Sequence, residues 1–254
     1  MKIDLNCDLG EGFGAYSIGR DAEMMNYITS ANIACGFHAG DPSVMRKAVE
    51  LAQTHGTAVG AHPGFPDLQG FGRRNMSCTE QEIYDFMVYQ IGALQGFLQA
   101  AGLPLHHVKP HGALYNMAAG DRQLAEAVCR AVADTAPRAV LYGLAESELI
   151  RAGQDAGLQT ASEVFADRTY EADLTLTPRS RPGAVILDYG VLLEQALLLV
   201  KEGKVRTAAG SIASVRADTI CLHGDNELAL EFARRLSEDL PKYGITIQQF
   251  QAGR

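Results

Sequence analysis

The sequence has no Cys-x-x-Cys pair, no basic run and no apolar stretch long enough to cross a bilayer. Its five cysteines, Cys7, Cys35, Cys78, Cys129 and Cys221, are scattered and odd in number. That excludes a disulfide framework and fits reduced thiols in a cytoplasmic protein. The net charge is −8, with no basic patch, so nucleic acid is a poor partner. The richest apolar run, Val191–Val200, carries Glu194 and Gln195 and falls well short of the ~18 residues of a membrane span. Asp4 interrupts the first residues at once, so no signal peptide is read there. The glycine-rich stretch Gly10-Glu11-Gly12-Phe13-Gly14 is not followed by a lysine–serine/threonine pair, so no nucleotide P-loop is indicated. A flexible loop and a ligand contact are both open for it.

What is present is apolar material in a regular order. Hydrophobic residues make up 47% of the 254, enough for a large core. Strand-like runs cover 2–7, 30–36, 57–61, 105–111, 139–143, 159–166 and 219–222, with a short hairpin strand at 205–207 and a last strand at 245–250. Helical periodicity covers 21–28, 42–55, 79–101, 121–133, 146–156, 189–201 and 226–240. Asp41 before Pro42 and the Thr79/Glu82 pair mark helix starts, and Gly56, Gly102 and Gly157 mark stops. Sustained alternation predicts an α/β fold with parallel strands and right-handed crossovers. Seven or eight such units close into a (β/α) barrel. No linker or internal repeat interrupts it, so residues 1–254 read as one domain. Two long segments, 64–78 and 171–183, break the periodicity and are expected to cover the site.

The stretch Lys109-Pro110-His111-Gly112-Ala113-Leu114-Tyr115 organises the rest. Lysine and histidine two residues apart on a strand share a face. Asp8, His38, His62, Lys109, His111, Glu163, His223 and Asp225 all fall at or just beyond predicted C-terminal strand ends, which converge on one face of a parallel barrel. Capping accounts for Asp41; for Asp225 before Asn226, capping and substrate binding are both open. It does not account for His38, His62, His111 and His223, because histidine is a weak cap. His55, at a helix end, reads as a capping or surface residue. His106 and His107 face opposite ways, and neither has ligand spacing.

Two chemistries fit. Asp8, His62 and His223 form the ligand set if a divalent metal is bound. Alternatively the group works without metal, with Lys109 stabilising an oxyanion and Glu163 acting as a base. A cationic lysine among the ligands weighs against metal. Arg73, Arg74 or Arg168 is suited to a substrate carboxylate or phosphate, a solvated surface role being equally open to each. Cys7 as a nucleophile is the weakest idea, since no cation or helix N-terminus is placed to lower its pKa.

Long motifs carry a family resemblance. They are residues 4–11 (Asp-Leu-Asn-Cys-Asp-Leu-Gly-Glu), residues 32–41 (Asn-Ile-Ala-Cys-Gly-Phe-His-Ala-Gly-Asp), Gly60-Ala61-His62-Pro63-Gly64, the Lys109–Tyr115 stretch, Glu163-Val164-Phe165-Ala166-Asp167-Arg168 and Cys221-Leu222-His223-Gly224-Asp225. Together they resemble the LamB/YcsF lactam-utilisation family, collinearly over almost the whole chain. The resemblance implies a barrel similar to the glycoside hydrolase/deacetylase superfamily. It also implies the A-subunit role in the prokaryotic 5-oxoprolinase, which converts 5-oxo-L-proline to L-glutamate with ATP as co-substrate, alongside subunits B and C. Two rivals stand beside that expectation: a metal-dependent deacetylase-like hydrolase and a non-catalytic substrate-binding subunit.

Overall fold

The computed structural model describes residues 1–222 and 227–251. Seven strands close a parallel barrel: β1 (Lys2–Leu9), β2 (Ser30–Ala34), β3 (Ala58–His62), β4 (His107–Val108), β5 (Val140–Leu144), β6 (Thr160–Phe165) and β9 (Thr219–Leu222). Closure is at Thr219, which registers with Glu163 of β6 on one side and Asp4 of β1 on the other. An antiparallel hairpin, β7 (Lys204–Arg206) and β8 (Ile212–Ser214), precedes β9, and β10 (Thr246–Ile247) adds to the start of β1. The parallel closed sheet is the one expected, with seven strands.

The helices are α1 (Asp21–Met24), α2 (Pro42–His55), α3 (Glu80–Ala101), α4 (Gly112–Gly120), α5 (Arg122–Thr135), α6 (Glu148–Asp155), α7 (Tyr189–Leu197) and α8 (Glu227–Asp239). Their starts follow local chemistry. Asp41 Oδ1 accepts from the Ser43 and Val44 amides at 2.7 and 3.0 Å, and Thr79 and Glu82 make the reciprocal capping box that opens α3. Asp21 is drawn back to the Gly10 amide at 2.9 Å, and α1 is a single turn rather than the longer helix expected. Beyond α7 the chain winds into a π-helical turn at Leu198–Glu202. No helix among the described residues is long and apolar enough to cross a membrane.

Strand β4 is shorter than the 105–111 run. Pro110 has no N–H to continue the ladder. The backbone nevertheless stays extended, with Lys109 N donating to Ala61 O at 2.9 Å and His111 N to Pro63 O at 2.8 Å. That holds both side chains at the barrel mouth.

Strand β1 shows how the barrel divides its residues. Ile3, Leu5, Cys7 and Leu9 join the buried apolar layer, with Ile91 and Leu94 of α3 and Val128 of α5. Truncating Leu94 to alanine there would cost about 2–5 kcal/mol. Asp4, Asn6 and Asp8 alternate to the inside. The lumen is therefore polar, and its groups have to be paired. Asp4 accepts hydroxyl bonds from Thr29, Ser30, Tyr142 and Thr219 at 2.5–3.1 Å. Above it, Asn32 donates to Asn6 at 2.7 Å and His107 Nε2 lies 2.6 Å from Asn32 Oδ1. The His107 ring fills space that Gly60 leaves: a Cβ there would lie 2.1 Å from the ring.

Candidate active site at the barrel mouth

The top of this polar column is Lys109. Its ammonium lies 2.9 Å from Glu163 Oε1, 3.0 Å from Asp8 Oδ1, 3.2 Å from Asn6 Oδ1 and 3.1 Å from Cys221 Sγ. Burial opposes its charge, but the carboxylates of Asp8, first, and Glu163 more than compensate, so the ammonium titrates well above its ordinary range. Burial also pushes the Cys221 thiol well above its ordinary value, even with Lys109 beside it. Cys221 is therefore a neutral thiol, and the two carboxylates carry the compensation. Glu163 has no exposure and accepts from the Tyr115 hydroxyl at 2.6 Å. Asp8 keeps 14% of its side chain exposed and faces the cavity.

That cavity has a volume of about 490 Å³, the size of a small-molecule site. Asp8, His62, Lys109 and His111 form one side, with Arg73, Arg168, Arg179 and Asn116 among the other lining residues. The two long segments do reach the site. Segment 64–78 is pinned there, because Ala113 N donates to Gly72 O at 2.9 Å. Phe71 is held at φ +54°, a strained value for a residue with a Cβ, and its carbonyl lies 2.8 Å from His111 Nε2.

The histidines lie side by side. His62 Nε2 is 3.3 Å from Asp8 Oδ2 and 2.9 Å from His111 Nδ1. The His38 ring stacks on His111 with centroids 3.7 Å apart. Gly64 and Gly72 make room for this stack, since a Cβ on either would lie 2.7 Å from His38 atoms. Burial, then His111 and His62, holds His38 well below the ordinary histidine range; burial, then His62, lowers His111 to about 3. Both rings are neutral imidazoles at neutral pH. Glu11, His38, His62 and His111 each offer one ligand atom to a common space, the four atoms lying within 4.8 Å of one another.

Asp8, His62, Lys109 and His111 thus share one pocket wall. Glu163 lies beneath Lys109, and His38 lies behind His111. Arg73 faces the cavity. Arg74 turns away to a bidentate pairing with Asp67. Arg168 lines the cavity but gives Nη2 to Thr177 O at 2.6 Å and Nε to Ala184 O at 3.3 Å, which ties down segment 171–183. His223 and Asp225 lie outside the described residues. Burial, then Asp8 and Glu11, raises the Cys7 thiol well above its ordinary value, which leaves no nucleophile there. Glu11, Tyr115 and Arg179 are not among the sequence candidates. Glu11 carries the same signal as the others, an acid beside glycine just after a strand.

The LamB/YcsF family profile matches residues 3–254. The chain belongs to the LamB/YcsF family. Relatives include a protein of Geobacillus thermodenitrificans (strain NG80-2), 60% identical over 246 residues (97% of this chain and 96% of the relative). Another is from Bacillus subtilis (strain 168), 59% identical over 247 residues with the same coverage. Both are named as the A subunit of 5-oxoprolinase. A crystal structure of a lactam utilization protein from Thermus thermophilus superposes with a TM-score of 0.93 at 48% identity, covering 98% of this chain and 100% of that one. The two chains therefore share one barrel fold.

Proposed function

We propose that this LamB/YcsF chain is the A subunit of an ATP-dependent 5-oxoprolinase. With subunits B and C, in the cytoplasm, it opens 5-oxo-L-proline to L-glutamate while ATP goes to ADP and phosphate. One observation carries this: relatives of about 60% identity over nearly the whole chain bear the name of the 5-oxoprolinase A subunit. The pocket agrees in size and charge with a small anionic lactam.

The need for ATP is chemical. A five-membered lactam is an unstrained, resonance-stabilised amide, and its reclosure is intramolecular and hence favoured. Phosphorylating the amide oxygen makes the ring carbon electrophilic: water adds there, the C–N bond breaks to free the amine, and a second water hydrolyses the resulting acyl phosphate to L-glutamate and phosphate. No P-loop is present, so ATP is held in another geometry or by the partner subunits.

In this scheme Lys109 meets the lactam oxygen and stabilises charge developing on it. Asp8, the cluster's cavity-facing carboxylate, activates water. Glu163, buried beneath, acts as a positioning residue that fixes Lys109. Arg73 or Arg179 receives the substrate carboxylate. Asp8→Asn in the reconstituted complex is expected to lower ATP-coupled glutamate formation by about 10²–10⁴-fold. Unchanged turnover, with 5-oxoproline binding retained in calorimetry, would favour a substrate-binding subunit instead.

A further inference from the structure

We propose that Glu11, His62 and His111, joined by His38, form a binding site for a divalent transition-metal ion, zinc fitting best. Backbone carbonyls fix the two central imidazoles. His62 Nδ1 lies 2.7 Å from Lys109 O, and His111 Nε2 lies 2.8 Å from Phe71 O. A carbonyl only accepts, so each of these nitrogens carries its ring's proton. With one proton on each ring, the other two nitrogens, His62 Nε2 and His111 Nδ1, bear lone pairs. Those lone pairs face each other at 2.9 Å. Facing lone pairs repel unless a cation lies between them, and the cation is either a shared proton or a metal ion.

The surroundings favour the metal. Metal-binding histidines characteristically donate their second N–H to a carbonyl or carboxylate, as both rings do here. Glu11 Oε1 lies 3.8 Å from His111 Nδ1 and 3.7 Å from His38 Nε2. Ligand atoms around a tetrahedral ion with bonds of ~2.0–2.1 Å stand roughly 3.3 Å apart, so small shifts bring the three donors into range. A shared proton would leave His38 unexplained: its two ring nitrogens are buried without a hydrogen-bond partner among the described residues. His38 stacks flat on His111 at 3.7 Å, so its Nε2 joins the set by tilting towards Glu11. The other three donors need no such rotation.

The ligand set differs from Asp8, His62 and His223. Asp8 Oδ1 is taken by Lys109 and by Asn32 Nδ2 at 2.8 Å, while Glu11 supplies the carboxylate. Pairing with Asp8 and Glu163 also matches the lysine charge that weighs against metal. Imidazole nitrogens with one carboxylate oxygen suit zinc over magnesium or calcium, which favour all-oxygen sites.

This site rests on the donors alone, independently of the 5-oxoproline role, and metal uptake and turnover are measured separately. The full-length chain is stripped with chelator, loaded with zinc sulfate, desalted and assayed by inductively coupled plasma mass spectrometry. Stoichiometric zinc is expected, weakened at least about tenfold in Glu11→Gln and in His111→Gln, with circular dichroism confirming that both variants fold. The cobalt-loaded chain is expected to show tetrahedral ligand-field absorption that Glu11→Gln loses. Only trace zinc in the wild-type chain, or equal retention by folded Glu11→Gln and His111→Gln, would overturn the site. A proton shared between His62 and His111 in nitrogen-15 spectra of the zinc-treated chain would do the same.

Discussion

Lys109 and Glu163 meet at 2.9 Å at the base of the cavity, and neither carries more than a few per cent of exposed surface. Out of water, each charge depends on the other. Tyr115 holds the second Glu163 oxygen at 2.6 Å, so the carboxylate has little freedom to leave. Glu163→Gln keeps the shape and removes the charge. It is expected to lower kcat about a hundredfold with little change in KM. Tyr115→Phe breaks a hydrogen bond to a charged group, expected to destabilise by about 1.5–3 kcal/mol. Steady-state kinetics of the reconstituted complex and denaturant melts of the isolated chain check the two effects.

The neighbouring arginines separate by function. Arg73 faces the cavity, whereas Arg74 is exposed and bound to Asp67. Arg73→Ala is expected to raise KM for 5-oxoproline about tenfold or more. Arg74→Ala is expected to leave KM alone but to lower stability, because it takes the charged partner from the buried Asp67 carboxylate. Parallel kinetics on the two variants test the assignment.

Much of this arrangement is legible in the sequence because it depends on local rules. The alternation of Asp4, Asn6 and Asp8 with Ile3, Leu5 and Cys7 marks a strand with two different faces. Asp41 and the Thr79/Glu82 pair mark helix starts that the structure reproduces. Other features depend on three-dimensional neighbours. Arg73 and Arg74 look equivalent until the turn brings Asp67 to one of them. The burial of Glu163 under Lys109 follows only from barrel closure. Glu11 sits among glycines that suggest a loose loop, and only the approach of His38 and His111 gives its carboxylate a setting. The strand-like run 105–111 overstates β4, because Pro110 has no N–H to give to a regular ladder.

His107 gives the barrel a pH signature. Burial, then His106 and Lys109, keeps its folded-state pKa well below 6.5. The unfolded chain takes up a proton near 6.5 while the folded chain does not. This contribution to stability is therefore complete above that value and is lost as pH falls towards the folded pKa. The slope from this residue approaches about 1.4 kcal/mol per pH unit below the unfolded value. His107→Gln is expected to flatten the dependence between about pH 6.5 and 5. Urea unfolding at several pH values, compared with the wild type, measures the difference.

The central claim is that the Lys109 ammonium acts directly on the lactam. The most direct measurement is glutamate and ADP formation by the reconstituted complex carrying Lys109→Met, with assembly of the complex verified by gel filtration. The assembled complex is expected to lose 5-oxoproline-dependent turnover by at least about a hundredfold. An assembled complex with turnover close to wild type would contradict it.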